Sequence, residues 1–249
     1  MKIENSDCYD FLQNIQTNSI DCIIIDPPYG TTPIIWDNQV DFEKLWKELN
    51  RVAKDNSAIL IFAQEPFATY LRMSNIKYYR YDWYWVKERL TNVFQVKRRP
   101  GKTVENICVF YKKQPVYNPQ KSKHLGKIVT NKIGENAGWS VTQSGYNQKT
   151  KPFEYIDDGT RHPTQVLRIN RDNQRKLLHP TQKPLELIEY LIKTYTNEGD
   201  TVMDCFLGSG TTAVACKNTG RNFVGCEINK EYYEKSLERL NSEPQEGNH

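Results

Sequence analysis

The chain has 249 residues, 26% of them charged and 38% hydrophobic, the balance of a globular protein large enough for one sizeable α/β core. Its longest apolar run, Ala58 to Ala63, is far short of the roughly 20 residues of a spanning helix, and Lys2, Glu4 and Asp7 stand where a signal peptide would be apolar, which excludes a membrane partner and points to the cytoplasm. The net charge of +4 hides an asymmetry: Lys87 to Lys183 holds 20 Lys and Arg against 7 Asp and Glu, net +13, and leaves −9 for the rest, so a polyanion is the expected partner of the middle.

Short runs rich in Ile, Val and Phe alternate with helical periodicity, the pattern of a mostly parallel sheet covered on both faces. After a short strand ahead of Asp7, strands are predicted over 21–25, 57–63, 83–86, 107–112, 201–206 and 222–227, which makes seven. Phe42, Leu45, Trp46 and Leu49 fall at helical spacing, as do Leu185, Ile188, Leu191 and Ile192, with Pro184 as first residue of that helix, and Tyr232, Tyr233, Leu237 and Leu240. Residues 114–178 are polar, with recurrent Gly and Asn, and are predicted to be an insertion rather than a continuation of the sheet. It separates a first half, 1–113, from a second, 179–241, with a tail at 242–249. Six cysteines without C-x-x-C spacing, beside four histidines, are expected to be buried free thiols, and no metal site is predicted.

Asp26-Pro27-Pro28-Tyr29-Gly30 follows the strand Cys22-Ile23-Ile24-Ile25, at the end of a parallel strand, where α/β sites lie. The prolines fix φ and remove two amide donors, so the Asp26 carboxylate and the Pro27 carbonyl can both accept from one amino group, with the Tyr29 ring beside it. The second motif, Asp204-Cys205-Phe206-Leu207-Gly208-Ser209-Gly210-Thr211, is a strand end and a glycine loop that opens a helix. It has no third glycine of the dinucleotide fingerprint and no Gly-Lys-Ser/Thr of a phosphate loop. With Glu227 ending the next strand, placed to accept from ribose hydroxyls, the pattern specifies a nucleoside-bearing cofactor without requiring a pyrophosphate.

Asp26-Pro27-Pro28-Tyr29, the loop around Gly208 and Gly210, and His179-Pro180-Thr181-Gln182-Lys183-Pro184 resemble, in type and order, the β group of amino-directed DNA methyltransferases. The resemblance covers the two sheet-forming ends and leaves the insertion unmatched. It implies a Rossmann-like, S-adenosylmethionine-dependent methyltransferase fold with an inserted target-recognition region. It also implies that Asp26, Pro27, Pro28 and Tyr29 form the catalytic set, that Phe206, Gly208, Ser209, Gly210 and Thr211, beyond Asp204, cradle the methionine part of the cofactor, and that Glu227 binds its ribose. Thr181, Gln182 and Lys183 would close over the cofactor, and Asp7 and Cys8 would contact adenine, although an Asp before a helix also reads as an N-cap. Trp85-Val86-Lys87 and Glu105-Asn106-Ile107 resemble patterns around the base pocket, and read equally well as strand residues and a salt-bridge partner.

The implied reaction is methyl transfer to N6 of an adenine flipped out of double-stranded DNA. The alternatives are N4 of cytosine, whose enzymes usually carry Ser in place of Asp26, and a catalytically silent nucleic-acid binding protein. Lys97, Arg98, Arg99 and Lys102 form a cationic loop suited to phosphates. Arg161, Arg168, Arg171 and Arg175 are candidates for reading guanine edges; the last three, at helical spacing, also read as one solvated face. A homodimer and a cognate restriction endonuclease are the partners that the resemblance allows.

Overall fold

The computed structural model describes residues 1–29, 40–91, 93–123, 130–132, 154–156, 159–172 and 182–242. The chain divides into two compact units, Met1–Asn118 with Thr164–His249, and Pro119–Pro163.

In the larger unit the strands are β1 (Lys2–Asn5), β2 (Ile20–Ile25), β3 (Ala53–Ala63), β4 (Tyr79–Val86), β5 (Val104–Phe110), β10 (Val166–Arg168), β11 (Thr201–Asp204) and β12 (Asn222–Glu227). They form one sheet in the order β1-β12-β11-β2-β3-β5-β4-β10. Every pair is parallel except the two made by β5, which runs against both β3 and β4. The helices are α1 (Cys8–Gln13), α2 (Phe42–Val52), α3 (Phe67–Ser74), α4 (Leu185–Tyr195), α5 (Thr211–Asn218) and α6 (Lys230–Asn241). Pro184 stands one residue ahead of α4, as its N-cap.

Strand alternation sorts the core into two layers. Ile23 and Ile25 of β2 and Ile59 and Ile61 of β3 pack with Phe11, Leu12, Leu45, Leu49 and Leu71 of α1, α2 and α3. Cys22, Ile24, Leu60 and Phe62 point the other way, against Leu187, Leu191, Ala213 and Ala215 of α4 and α5. All six cysteines are free and buried, as expected.

Two differences from the sequence reading have physical causes. β4 begins at Tyr79, four residues early, because Asp82, which breaks the apolar pattern, is buried and held by Arg72 of α3 at 2.6 Å and by Asn106 of β5 at 2.9 Å. The sheet has eight strands rather than seven because Val166–Arg168, inside the stretch expected not to continue the sheet, pairs with β4. Leu167 and Ile169 turn inward there at alternate positions, and the Ile169 carbonyl accepts from the Trp85 indole at 2.8 Å. Such a three-residue strand is too short for its period of two to register.

The smaller unit contains two short antiparallel ladders, β6 (Ser122–Lys123) with β9 (Thr160–Arg161) and β7 (Thr130–Lys132) with β8 (Glu154–Ile156).

Candidate active site

β2 and β11 are adjacent, with Val202 opposite Cys22 and Met203 opposite Ile23. From β2 the chain moves through α2 to β3 on one side, and from β11 through α5 to β12 on the other. This reversal opens a crevice at the carboxyl ends of the two strands, the usual ligand site of such sheets. Asp26-Pro27-Pro28-Tyr29 leaves β2 there and the Gly208–Gly210 loop leaves β11, so the acceptor motif and the glycine loop start about one strand spacing, roughly 5 Å, apart.

Around Asp26 charged and polar groups gather from the ends of four strands and from the start of α4. Tyr29 donates its hydroxyl to Asp26 Oδ1 at 2.8 Å, and Lys183 Nζ, just ahead of α4, lies 2.6 Å from Asp26 Oδ2. The same ammonium reaches Glu105 Oε1 at 2.8 Å, and Lys87, directly after β4, holds Glu105 Oε2 at 2.5 Å. Gln64, directly after β3, donates to the same Oε2 at 3.4 Å. Because β5 is antiparallel, Glu105 near its start lies on the edge where β3 and β4 end. The Glu105 and Lys87 side chains are 2% and 8% exposed. The Tyr29 ring stacks on Phe67 of α3, with centroids 4.9 Å apart.

Burial pushes the Asp26 carboxyl up; Lys183 opposes that and Glu105 adds to it. Burial would also raise Glu105, but Lys183 and Lys87 hold it well below the usual carboxylate range. Burial and the two carboxylates push the Tyr29 phenol up, so it stays a donor. Lys183 remains an ammonium, since Asp26 and Glu105 outweigh its desolvation.

On the neighbouring strands, Glu227 Oε2 accepts from the Gly208 amide at 2.7 Å and Oε1 from the Asn229 amide at 2.8 Å. β1 lies against β12 with Asn5 opposite Glu227, which brings Asp7 and Cys8 to the same corner. Asp7 caps α1, accepting from the Tyr9 amide at 2.8 Å, and Cys8 is buried. Asp204, 5% exposed, accepts from the Phe206 amide at 3.0 Å and from the Thr212 hydroxyl at 2.6 Å, anchoring both ends of the glycine loop. Burial raises its carboxyl to about 7, against those two donors, and the charges of Asp26 and Glu227 add to the rise.

The predicted cofactor residues fall into two groups. Gly208, Phe206 and Glu227 stand at the mouth of the crevice. Ser209 and Thr211 are buried and bound by Arg239 of α6, which reaches the Thr211 hydroxyl at 2.8 Å. Gly210 has φ +80°, and a Cβ there would come within 2.9 Å of Ser236, so this glycine serves the packing of α6. Gln182 donates to Asp172 at 3.0 Å, while Lys183 belongs to the Asp26 cluster. Thr181 lies outside the described residues, as does the tail beyond Ser242.

S-adenosylmethionine offers ribose hydroxyls, an adenine ring and a charged methionine end. A strand-end carboxylate with free lone pairs, a glycine loop and Ile228, 65% exposed beside Glu227, fit the nucleoside part.

Lys97, Arg98 and Arg99 are exposed on the segment between β4 and β5, and Lys102 is half-buried. That segment begins at Lys87 of the charge cluster, and Thr91 N–H donates to the Lys102 carbonyl at 3.0 Å across its base. The helical-face reading of the later arginines is corrected: Arg168 ends β10, residues 169–172 belong to no helix, and the Arg171 amide donates to Glu88 at 3.0 Å. Arg161 lies in β9 and Arg175 outside the described residues. Gln64, Phe67 and Ile228 were missed. Gln64 and Ile228 each stand directly after the carboxyl end of a strand that points into the crevice, a signal present in the sequence; nothing local marks Phe67.

The family model for N6/N4 methyltransferases, described as DNA methylase, matches residues 20–238. The type II methyltransferase M1.MboII of Moraxella bovis is 29% identical over 96% of this chain and 96% of its own, and M.HpaI of Haemophilus parainfluenzae is 32% identical over 93% and 71%. The crystal structure of the M1.HpyAVI–SAM complex superposes with a TM-score of 0.62 at 26% identity, covering 96% of this chain and 99% of that one. The cytosine-N4-specific PvuII DNA methyltransferase, at 17% identity and a TM-score of 0.68 over 97% and 86%, shares the fold. With the glycine loop and the Asp-Pro-Pro-Tyr motif side by side in the crevice, the chain belongs to the N6/N4 family of S-adenosylmethionine-dependent DNA methyltransferases, which act on amino groups.

Proposed function

We propose that the chain transfers a methyl group from S-adenosylmethionine to the N6 amino group of an adenine flipped out of double-stranded DNA. The observation that carries this reading is the adjacency of β2 and β11, which sets the Asp26 acceptor beside the glycine loop. The acid at position 26, in the motif type that resembles the adenine enzymes, favours adenine over cytosine N4.

S-adenosylmethionine, held by Glu227, the Gly208 backbone and Phe206, supplies an electrophilic methyl group. Asp26 and the Pro27 carbonyl accept the two amino hydrogens of the base, which draws the nitrogen lone pair out of ring conjugation and fixes its direction. Each Asp26 oxygen keeps a lone pair beyond those used by Tyr29 and Lys183, so the amino group is accepted without dismantling the cluster. The amino nitrogen loses one proton as the N–C bond forms and the methyl–sulfur bond breaks, the sulfur leaving with that electron pair as a neutral thioether, and Asp26, raised by burial, is placed to take the proton. Tyr29, with one side on Phe67, provides the ring against which the base stacks.

Flipping a base costs a few kcal/mol, offset by phosphate contacts that Lys97, Arg98, Arg99 and Lys102 supply. Residues 114–178, which include the smaller unit Pro119–Pro163, carry target recognition in this reading. A cognate endonuclease accompanies it by analogy with the type II relatives, and a homodimer is the assembly state the family resemblance suggests.

The test is transfer of labelled methyl from S-adenosylmethionine to unmethylated DNA, followed by nucleoside mass spectrometry. N6-methyladenine is expected. N4-methylcytosine would overturn the choice of base, and unlabelled DNA with cofactor bound would favour the silent binding protein.

A further inference from the structure

The ammonium of Lys183 has its three donors directed by three neighbours. Asp26 Oδ2 lies at 2.6 Å, Glu105 Oε1 at 2.8 Å, and the Phe62 ring centroid at 4.8 Å. The side chain is 12% exposed, its two carboxylates 22% and 2%. Lys87 closes the set on the far side of Glu105, so two ammonium groups face two carboxylates with no net charge. Buried ion pairs of this kind add little stability, because desolvation offsets attraction. This one stands at the reactive end of the crevice, joined to the residue that the reading above makes the acceptor.

We propose that Lys183 is a positioning residue for methyl transfer: its ammonium, shared between Asp26 and Glu105, keeps Asp26 in its acceptor form and aims its carboxylate, and stays braced on Glu105 while the amino group of the base binds at the lone pairs of Asp26 that remain. The assignment as positioning residue rests on the reading of Asp26 above. The charge relation between the three side chains stands on geometry.

Asp26 is faced by Lys183 from the start of α4, Tyr29 from its own loop, Glu105 from β5 and Asp204 from β11, with Lys87 behind Glu105. Among these Lys183 is the cation in contact with it. Without that cation, burial and the neighbouring carboxylates push the Asp26 carboxyl further up, toward an O–H donor where an acceptor is needed. Without the Glu105 charge, Lys183 serves Asp26 alone and Asp26 ionises more readily. The two neighbours therefore act on Asp26 in opposite directions, which damage to the fold does not imitate.

The experiment compares wild type, Lys183→Met, Lys183→Arg and Glu105→Gln by two readouts. One is the titration of Asp26 in protein carrying 13C-labelled aspartate, with Asp26→Asn assigning the signal; the other is the pH profile of kcat for methyl transfer to DNA. Lys183→Met is expected to raise the Asp26 midpoint by at least one pH unit and to move the acid limb of kcat with it, about tenfold lost for each unit below the new midpoint. Lys183→Arg restores both, and Glu105→Gln lowers the midpoint. An unmoved midpoint in Lys183→Met, or a kcat reduced equally at every pH, overturns the proposal. Should wild-type protein leave DNA unlabelled, the reading of Asp26 falls and the positioning role with it, while the titration alone decides the charge relation.

Discussion

Replacing Asp204 with Asn removes a carboxyl that folding moves from its ordinary 3.8 to about 7, chiefly by burial. The native state therefore holds a proton that the unfolded chain releases from about pH 4 upward. Stability from this group is fully present below the unfolded value and is lost as pH rises through the folded one. A rise of about 3 units corresponds to about 4 kcal/mol, of which about 3 kcal/mol falls between pH 5 and 8. Asparagine keeps an acceptor for the Phe206 amide, and the Thr212 hydroxyl can turn to accept from its amide. Urea unfolding of both proteins at pH 5, 6, 7 and 8 measures the difference, and contributions from Asp26 and the other carboxyls largely cancel between them. Relative to wild type, Asp204→Asn should gain about 3 kcal/mol from pH 5 to pH 8. A difference that stays constant with pH would show that Asp204 is ionised throughout and that the glycine loop is anchored by a charge.

Asp26→Ala should abolish methyl transfer while the protein folds and binds S-adenosylmethionine, as checked by labelled-methyl counting and calorimetry; retained transfer would remove the acceptor mechanism. Glu227→Ala gives up the charge-assisted bond from the Gly208 amide and, in the proposed reading, those from the ribose, so cofactor affinity should drop about 10- to 100-fold in the same calorimetry, and an unchanged Kd would end the ribose role. Arg98→Glu with Arg99→Glu should weaken DNA binding at every sequence and flatten the plot of log K against log salt; an unaltered slope would move the phosphate contacts elsewhere. Gly210→Ala combines a left-handed backbone with a methyl pressed on Ser236, and a loss of about 2–4 kcal/mol in urea unfolding is expected.

The strands that flank the crevice, β2, β11 and β12, were legible because each is a short apolar run ending in an acid, as Ile23-Ile24-Ile25 ends at Asp26. Their pairing order was not, since nothing local in β5 says that it runs antiparallel. That orientation makes Glu105, 79 residues from Asp26 in sequence, its close neighbour in space. Lys183 was assigned to the cofactor by the motif it sits in, yet its long side chain reaches back to Asp26 across 157 residues. A spacing rule finds groups that share a strand end or a helix face, and a shared cation is neither. Ser209 and Thr211 show the converse: their place in the glycine loop suggested ligand contact, and only the packing of α6 reveals Arg239 on both hydroxyls.

The antiparallel course of β5 has a further effect on how binding and chemistry connect. A parallel strand must be followed by a crossover that carries the chain away from the carboxyl edge, whereas a hairpin keeps its loop on that edge. The connection from β4 to β5 is such a hairpin: it leaves at Lys87, exposes Lys97, Arg98 and Arg99, and re-enters one residue before Glu105. The Lys87–Glu105 ion pair and the bond from the Lys87 amide to the Thr103 carbonyl at 2.7 Å tie the two ends of this loop together beside Asp26. Phosphates gripped by the loop would thus be held by the same hairpin whose base braces Lys183 and, through it, the acceptor. In the proposed reading, a strand of DNA captured on the cationic loop would thereby be registered against the crevice that holds Asp26.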